Sequence, residues 1–228
     1  MSTSYVQRVN AATSTARQRL PSRGWLDTSP EQLEISKTAF LELAAALQGI
    51  TVDQLLEEGG DAPDQRMGST CCNILEVMLR KCRELDAPFF VFGAGYWSEV
   101  LTAVGHGIRA GGVEVVQRRA AALGDILEAL EVSSAALTKN FSHLFREAAD
   151  LATKPRGAMF DFIKERVVMK MNDVVFTPEL RNRICAEFAQ LPSGSVLFAT
   201  TNYGTVDDGR LSPWSKVCHN SFQMNSLL

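Results

Sequence analysis

Pro88-Phe89-Phe90-Val91-Phe92-Gly93-Ala94-Gly95-Tyr96-Trp97-Ser98 is the stretch that decides the fold. Pro88 to Phe92 is an unbroken apolar run of strand length, the pattern of a strand covered on both faces. It runs straight into two glycines, and a helical pattern follows from Ser98 to Val104. Gly112-Val113-Glu114-Val115-Val116 reads as a second strand, and Arg118 to Leu130 as the helix after it. Strand, glycine turn, helix and strand make a βαβ unit, so a parallel sheet with crossover helices is expected.

Downstream, a helical stretch covers about Ser133 to Leu151. Val167 to Met171 is apolar apart from Lys170 and breaks at Asn172-Asp173. Pro178 to Leu191 is helical, and Ser195 to Thr200 is a last buried strand after the turn Pro192-Ser193-Gly194. Upstream, Ser29 and Pro30 suit the cap and first position of a helix. Its stripe of Leu33, Phe40, Leu41, Leu43 and Leu47 ends at Gly49, and Thr51 to Gln54 starts a second short helix. After a break at residues 59–63, Ile74, Leu75, Met78 and Leu79 mark a helix from Ser69 to about Leu85. The expected fold is α/β, a Rossmann-like sheet with helices on both faces, preceded by a helical N-terminal segment. The expected divisions are a flexible basic arm (1–28), the helical segment (29–62) and the sheet domain (63–228).

Arg8, Arg17, Arg19 and Arg23 precede the first acid, Asp27. Such a start reads either as an organelle transit segment over residues 1–26 or as a solvated basic arm. The arm is favoured, because no apolar face can be traced through Asn10 to Ser14. Net charge is −3 over 228 residues, which argues against a surface built to grip nucleic acid and limits direct contact to these arginines. No apolar run approaches the ~18 residues of a membrane span. Cys71, Cys72, Cys82, Cys185 and Cys218 are odd in number and lack CxxC spacing, so a reducing compartment is expected rather than a disulfide framework. His106, His143 and His219 have no second ligand at metal-binding spacing, so no metal is expected.

Ligands of doubly wound sheets bind beyond the carboxyl ends of the strands. Gly93 and Gly95 let backbone approach an adenosine-bearing ligand there, and Glu114 lies about 20 residues on, where an acid accepts from ribose hydroxyls. The same residues also read as an ordinary βα turn with a solvent-facing acid. Ser98 could complete GxGxxG for a dehydrogenase, but no His or Tyr-Lys pair accompanies it to handle hydride. The far end tips the balance. An apolar strand stopping at Asn172-Asp173, followed by Phe176, suits methyl transfer to an amine: a carboxamide orients the amine, and aromatic walls stabilise the cations.

Here the sequence resembles the non-SET histone-lysine methyltransferases, the disruptor-of-telomeric-silencing family, divergent members of the class I methyltransferases. Asn172-Asp173-Val174-Val175-Phe176-Thr177-Pro178-Glu179 lines up without a gap with that family's Asn-Asn-Phe-x-Phe and Gly-Pro-Glu. Leu191 to Phe198 follows at the family's distance. Phe90 to Gly95 resembles its Val-Asp-Leu-Gly-Ser-Gly, Gly112-Val113-Glu114 its Gly-Val-Glu, and Met67-Gly68-Ser69-Thr70 the element that closes over the cofactor.

The resemblance implies S-adenosylmethionine as cofactor, with Gly68, Gly93, Ala94, Gly95, Ser98, Glu114 and Asn172 around it. It implies Asn172, Phe176 and Tyr203 at the reacting lysine, a histone or nucleosome as protein partner, and a nuclear location, with the cytoplasm as the alternative. A methyltransferase for another amine or a small molecule, and a catalytically silent interaction module, are the alternatives in function. Val91 stands where the family has a cofactor-contacting acid, Trp97 where it has a third glycine, and Asp173 where it has a second Asn. The family's Gly-Asp-Phe has only Gly157-Ala158-Met159 and Asp161-Phe162 as partial counterparts. Trp97 is therefore expected to push a ligand outward or wall off part of its pocket.

Overall fold

Four short apolar segments pair as parallel strands in the computed structural model, which describes residues 5–19, 30–57, 72–116, 119, 153–171 and 176–199. They are β1 (Phe89–Phe92), β2 (Ala110–Val113), β3 (Val168–Met171) and β4 (Val196–Ala199), in the order β2-β1-β3-β4. The helices are α1 (Tyr5–Arg19), α2 (Pro30–Glu57), α3 (Cys72–Leu85), α4 (Ser98–Gly105) and α5 (Pro178–Phe188). The chain leaves β1 to one side for β2 and returns on the other for β3, so the switch point lies between β1 and β3. This architecture is α/β and compatible with a Rossmann-like fold.

Alternation along the strands divides the core in two. Phe89, Val91, Ala110, Val168 and Phe198 face a cluster with Phe40, Leu43, Leu47, Leu79, Cys82, Leu101 and Val104 from α2, α3 and α4. Phe90, Val113, Met169 and Met171 face a second cluster with Met159, Phe160, Ile163, Ile184 and Phe188. Helix α3 shows why its residues coil: Leu75, Met78, Leu79 and Cys82 recur at helical spacing and are buried, while Glu76, Arg80, Arg83 and Glu84 stay in water. Burial pushes the Cys82 thiol up to about 12, against the lowering influence of Arg83, so it is an inert packing group. At the start of α5, Thr177 caps the helix, its side chain accepting the Leu180 N–H at 3.3 Å, with Pro178 behind it.

Three elements differ from the sequence reading. Residues 5–19 of the expected arm form α1, with Val9 0% exposed and Ala12, Thr13 and Ala16 on its packed side. A narrow stripe of small residues suffices when a partner helix lies close, and a search for large apolar side chains passes over it. Helix α2 continues through Gly49 to Glu57 as one helix: Gly49 is exposed, and one glycine costs only ~1 kcal/mol when Leu47 and Ile50 on either side are buried. Strand β2 pairs over Ala110–Val113 rather than 112–116, which leaves Glu114 one residue past its end. The expected helices around 118–130 and 133–151 lie outside the described residues, Arg119 excepted.

Two glycines set the spacing of these layers. A Cβ on Gly105 would lie 2.8 Å from Leu41 Cδ2, so α4 meets α2 where α4 has no side chain. A Cβ on Gly112 would lie 2.7 Å from the Val91 carbonyl oxygen and 3.2 Å from Ala94 Cβ. Backbone cannot yield as a side chain can, so Gly112→Ala should lower stability by about 1–3 kcal/mol. Urea unfolding measures this, and an unchanged midpoint would show that β1 and β2 separate freely there.

Candidate ligand-binding site at the glycine turn

The turn between β1 and α4 holds three residues with positive φ: Gly93 (80°), Gly95 (56°) and Trp97 (67°). Two glycines accept this without strain, whereas Trp97 does so with a Cβ in place. Trp97 is 1% exposed, and its ring reaches within 3.4 Å of the missing Cβ of Gly112. The indole is therefore packed beneath the turn, in the first core cluster with Tyr96 and Ala94, rather than projecting where it would push a ligand outward as expected. Burial of a large ring offsets the local strain.

Four N–H groups of this turn are engaged within the protein. Those of Gly93 and Ala94 both donate to the Val113 carbonyl at 2.9 Å, and that of Trp97 donates to Ala94 at 2.8 Å. The Gly95 N–H donates to Glu114 Oε2 at 2.7 Å, and Glu114 Oε1 accepts the Val116 N–H at 2.7 Å. Glu114 is 3% exposed, not solvent-facing, and its carboxylate lies 3.9 Å from the Arg119 guanidinium. Burial pushes the Glu114 carboxyl above the usual range, against the lowering influence of the Val116 N–H, Arg119 and the Gly95 N–H.

A second buried charge pair stands on the neighbouring strand. Lys170 (4% exposed) donates to Glu99 Oε1 at 3.0 Å, and Glu99, in the first turn of α4, is 9% exposed. Lys170 pairs in register with Val91, so an ion pair lies next to the position where the family resemblance led one to look for an acid. The sequence carries a signal for it outside the family-like motifs: one lysine in an otherwise apolar strand needs a buried acid.

Of the residues expected around a cofactor, Gly93, Ala94, Gly95, Ser98 and Glu114 come together at the carboxyl ends of β1 and β2. Gly93 is exposed, with no atom of the described residues within 4 Å of where a Cβ would stand, and Ser98 is half-buried at the first position of α4. Phe176 is half-buried and edge-on to Phe92, ring centroids 5.8 Å apart. Gly68, Asn172 and Tyr203 lie outside the described residues. Met171, which precedes Asn172, pairs with Phe92, which precedes Gly93. The partial counterparts of the family's Gly-Asp-Phe make contacts within the chain: the Met159 N–H donates to Glu187 at 2.6 Å, Phe162 packs on Phe90, and Asp161 pairs with Lys154.

Among the described residues, no group of three His, Cys, Asp or Glu could hold a metal ion, and no helix is long and apolar enough to cross a membrane. Fold and turn define a class, an α/β protein with a parallel sheet covered on both faces. Compared with protein-family models and with curated proteins, the chain matches none.

Two outcomes follow from the buried charges. Glu114 binds its proton more tightly folded than unfolded, so its contribution is most favourable in acid and is lost as pH rises through the raised pKa. Chemical denaturation across pH should show wild-type stability falling relative to Glu114→Gln above about pH 4.3, the reference value for glutamate. The opposite slope would mean that the N–H bonds and Arg119 outweigh burial. For the other pair, Lys170→Met should cost about 3–5 kcal/mol by stranding Glu99, whereas Glu99→Leu with Lys170→Met should be neutral or stabilising. Equal losses in both variants would contradict this.

Proposed function

We propose that this chain is an S-adenosylmethionine-dependent methyltransferase acting on a protein lysine, with a histone as the substrate that the family resemblance suggests. The observation that carries the reading is the glycine turn after β1 joined to Glu114 after β2, with the end of β3 in register beside it. The residues fit an adenosine ligand on its ribose side: a carboxylate offers about four acceptor positions, more than the backbone N–H groups of Gly95, Val115 and Val116 use on Glu114. The exposed Gly93, with no side chain, leaves room for the methionine part. The bound cofactor supplies a methyl group on a sulfonium.

The chain's own residues do the rest. Asn172, directly after β3, would accept from the incoming amine and aim its lone pair. Lysine has a reference pKa of about 10.4, so the amine must arrive neutral, and apolar surroundings such as Phe92 and Phe176 favour that form. No general base is needed if the proton leaves to water beforehand.

Two features favour a second reading, a catalytically silent module that works through protein contacts. Val91 is buried in the core and offers no charge to a cofactor's ammonium, and the Glu114 carboxylate is almost wholly enclosed. Thermal unfolding with S-adenosylmethionine and NAD in parallel tests the cofactor, since ligand at 100 times its Kd stabilises by ~2.7 kcal/mol. A shift with S-adenosylmethionine, together with release of S-adenosylhomocysteine, is expected. Binding without turnover would establish the silent module, and a shift with NAD alone would overturn the assignment. Asn172→Ala should reduce turnover while leaving the unfolding midpoint unchanged.

A further inference from the structure

In dinucleotide-binding folds, the N–H groups of the glycine turn and of the following helix point outward at a pyrophosphate. Here the turn is wired differently. Gly93, Ala94 and Trp97 donate to backbone carbonyls, and the Gly95 N–H donates to a carboxylate of the chain itself. That carboxylate takes the place of an external anion. It sits on two backbone N–H groups at 2.7 Å, with a guanidinium at 3.9 Å, and almost no water reaches it. A phosphate brought to Gly95 would lose the N–H bond to Glu114 and confront a negative charge across a poorly screened gap. A ribose hydroxyl brought to the same place gains an acceptor.

We propose that Glu114 is a specificity-determining residue: its carboxylate fills the anion position of the glycine turn and restricts the site to adenosine ligands that carry no phosphate there. This rests on the reading of the turn as an adenosine site and deepens it by naming what excludes dinucleotides. With the charge removed, the Gly95 and Val116 N–H groups become a receptor for phosphate oxygens.

Inorganic pyrophosphate at matched ionic strength is the probe, read by thermal unfolding and calorimetry on wild type, Glu114→Gln and Glu114→Asp. Glu114→Gln keeps the shape and one acceptor oxygen without the charge; Glu114→Asp keeps the charge. Pyrophosphate should bind Glu114→Gln at least tenfold more tightly than wild type or Glu114→Asp. Equal binding to all three, or a folded Glu114→Gln that pyrophosphate leaves unmoved, would overturn the proposal. If Glu114→Gln does not fold, wild type and Glu114→Asp decide: binding of pyrophosphate to either overturns the proposal, and exclusion by both upholds it. A wild type unmoved by S-adenosylmethionine would overturn the methyltransferase reading alone, because the pyrophosphate contrast needs no methyl donor.

Discussion

A carboxylate almost out of reach of water ties together the ends of the first two strands. Glu114 accepts N–H bonds from Gly95 on one side and Val116 on the other, and Arg119 lies alongside. The glycine turn, the left-handed start of α4 and the path of the chain leaving β2 are fixed relative to one another through this group. Removing a charge from water is costly, and two short N–H bonds with a cation nearby are what make it bearable. Beneath it, Gly112 brings the β1 backbone and the Trp97 ring within reach of β2. The turn is thus closed from above by a carboxylate and from below by an indole.

The two faces of the sheet are built by different means. On one, α4 lies against the sheet and α2 lies over α4, with Gly105 opposite Leu41 and α1 packed outside α2. On the other, α5 and the turns between residues 153 and 163 are held by directional contacts. Glu187 takes the Met159 N–H and the Arg183 guanidinium, Arg183 donates to the carbonyls of Lys154 and Pro155, and Phe90, Phe92, Phe160, Phe162 and Phe176 meet edge-on or tilted. Burial pushes Glu187 up, but the bonds from Arg183 and Met159 outweigh it and hold its carboxyl below the usual range. The candidate site lies at the strand ends where these two constructions meet.

The apolar runs made most of this legible. The cores of β1, β3 and β4 and the helices after the glycine turn and after Thr177 follow from periodicity and capping, because those signals are local. Glu114 was found by its distance from the glycines, a spacing set by the length of one crossover helix. Its burial and its bond to Gly95 were not legible, since they depend on β2 ending at Val113, three residues earlier than its apolar pattern suggests. The docking of α1 through Ala12, Thr13 and Ala16 was hidden for a similar reason: small residues carry little hydrophobic signal until a partner comes close. Trp97 was misread because a motif position says which residue is unusual, not which way its side chain turns.

Lys170 has a consequence for how the sheet is assembled. Side chains alternate along a strand, so a slip of β3 by one residue would move Lys170 from the side of α4 to the side of Phe90, Met159 and Phe188. In the register observed, its ammonium meets Glu99 at 3.0 Å; in the slipped one it would face apolar side chains with its charge uncompensated. Val168, Met169 and Met171 alone would tolerate either alignment, being apolar on both faces. The pair therefore acts as a key, cut on one strand and one helix, that admits a single alignment of β3 against β1 and so sets Met171 beside Phe92 at the strand ends.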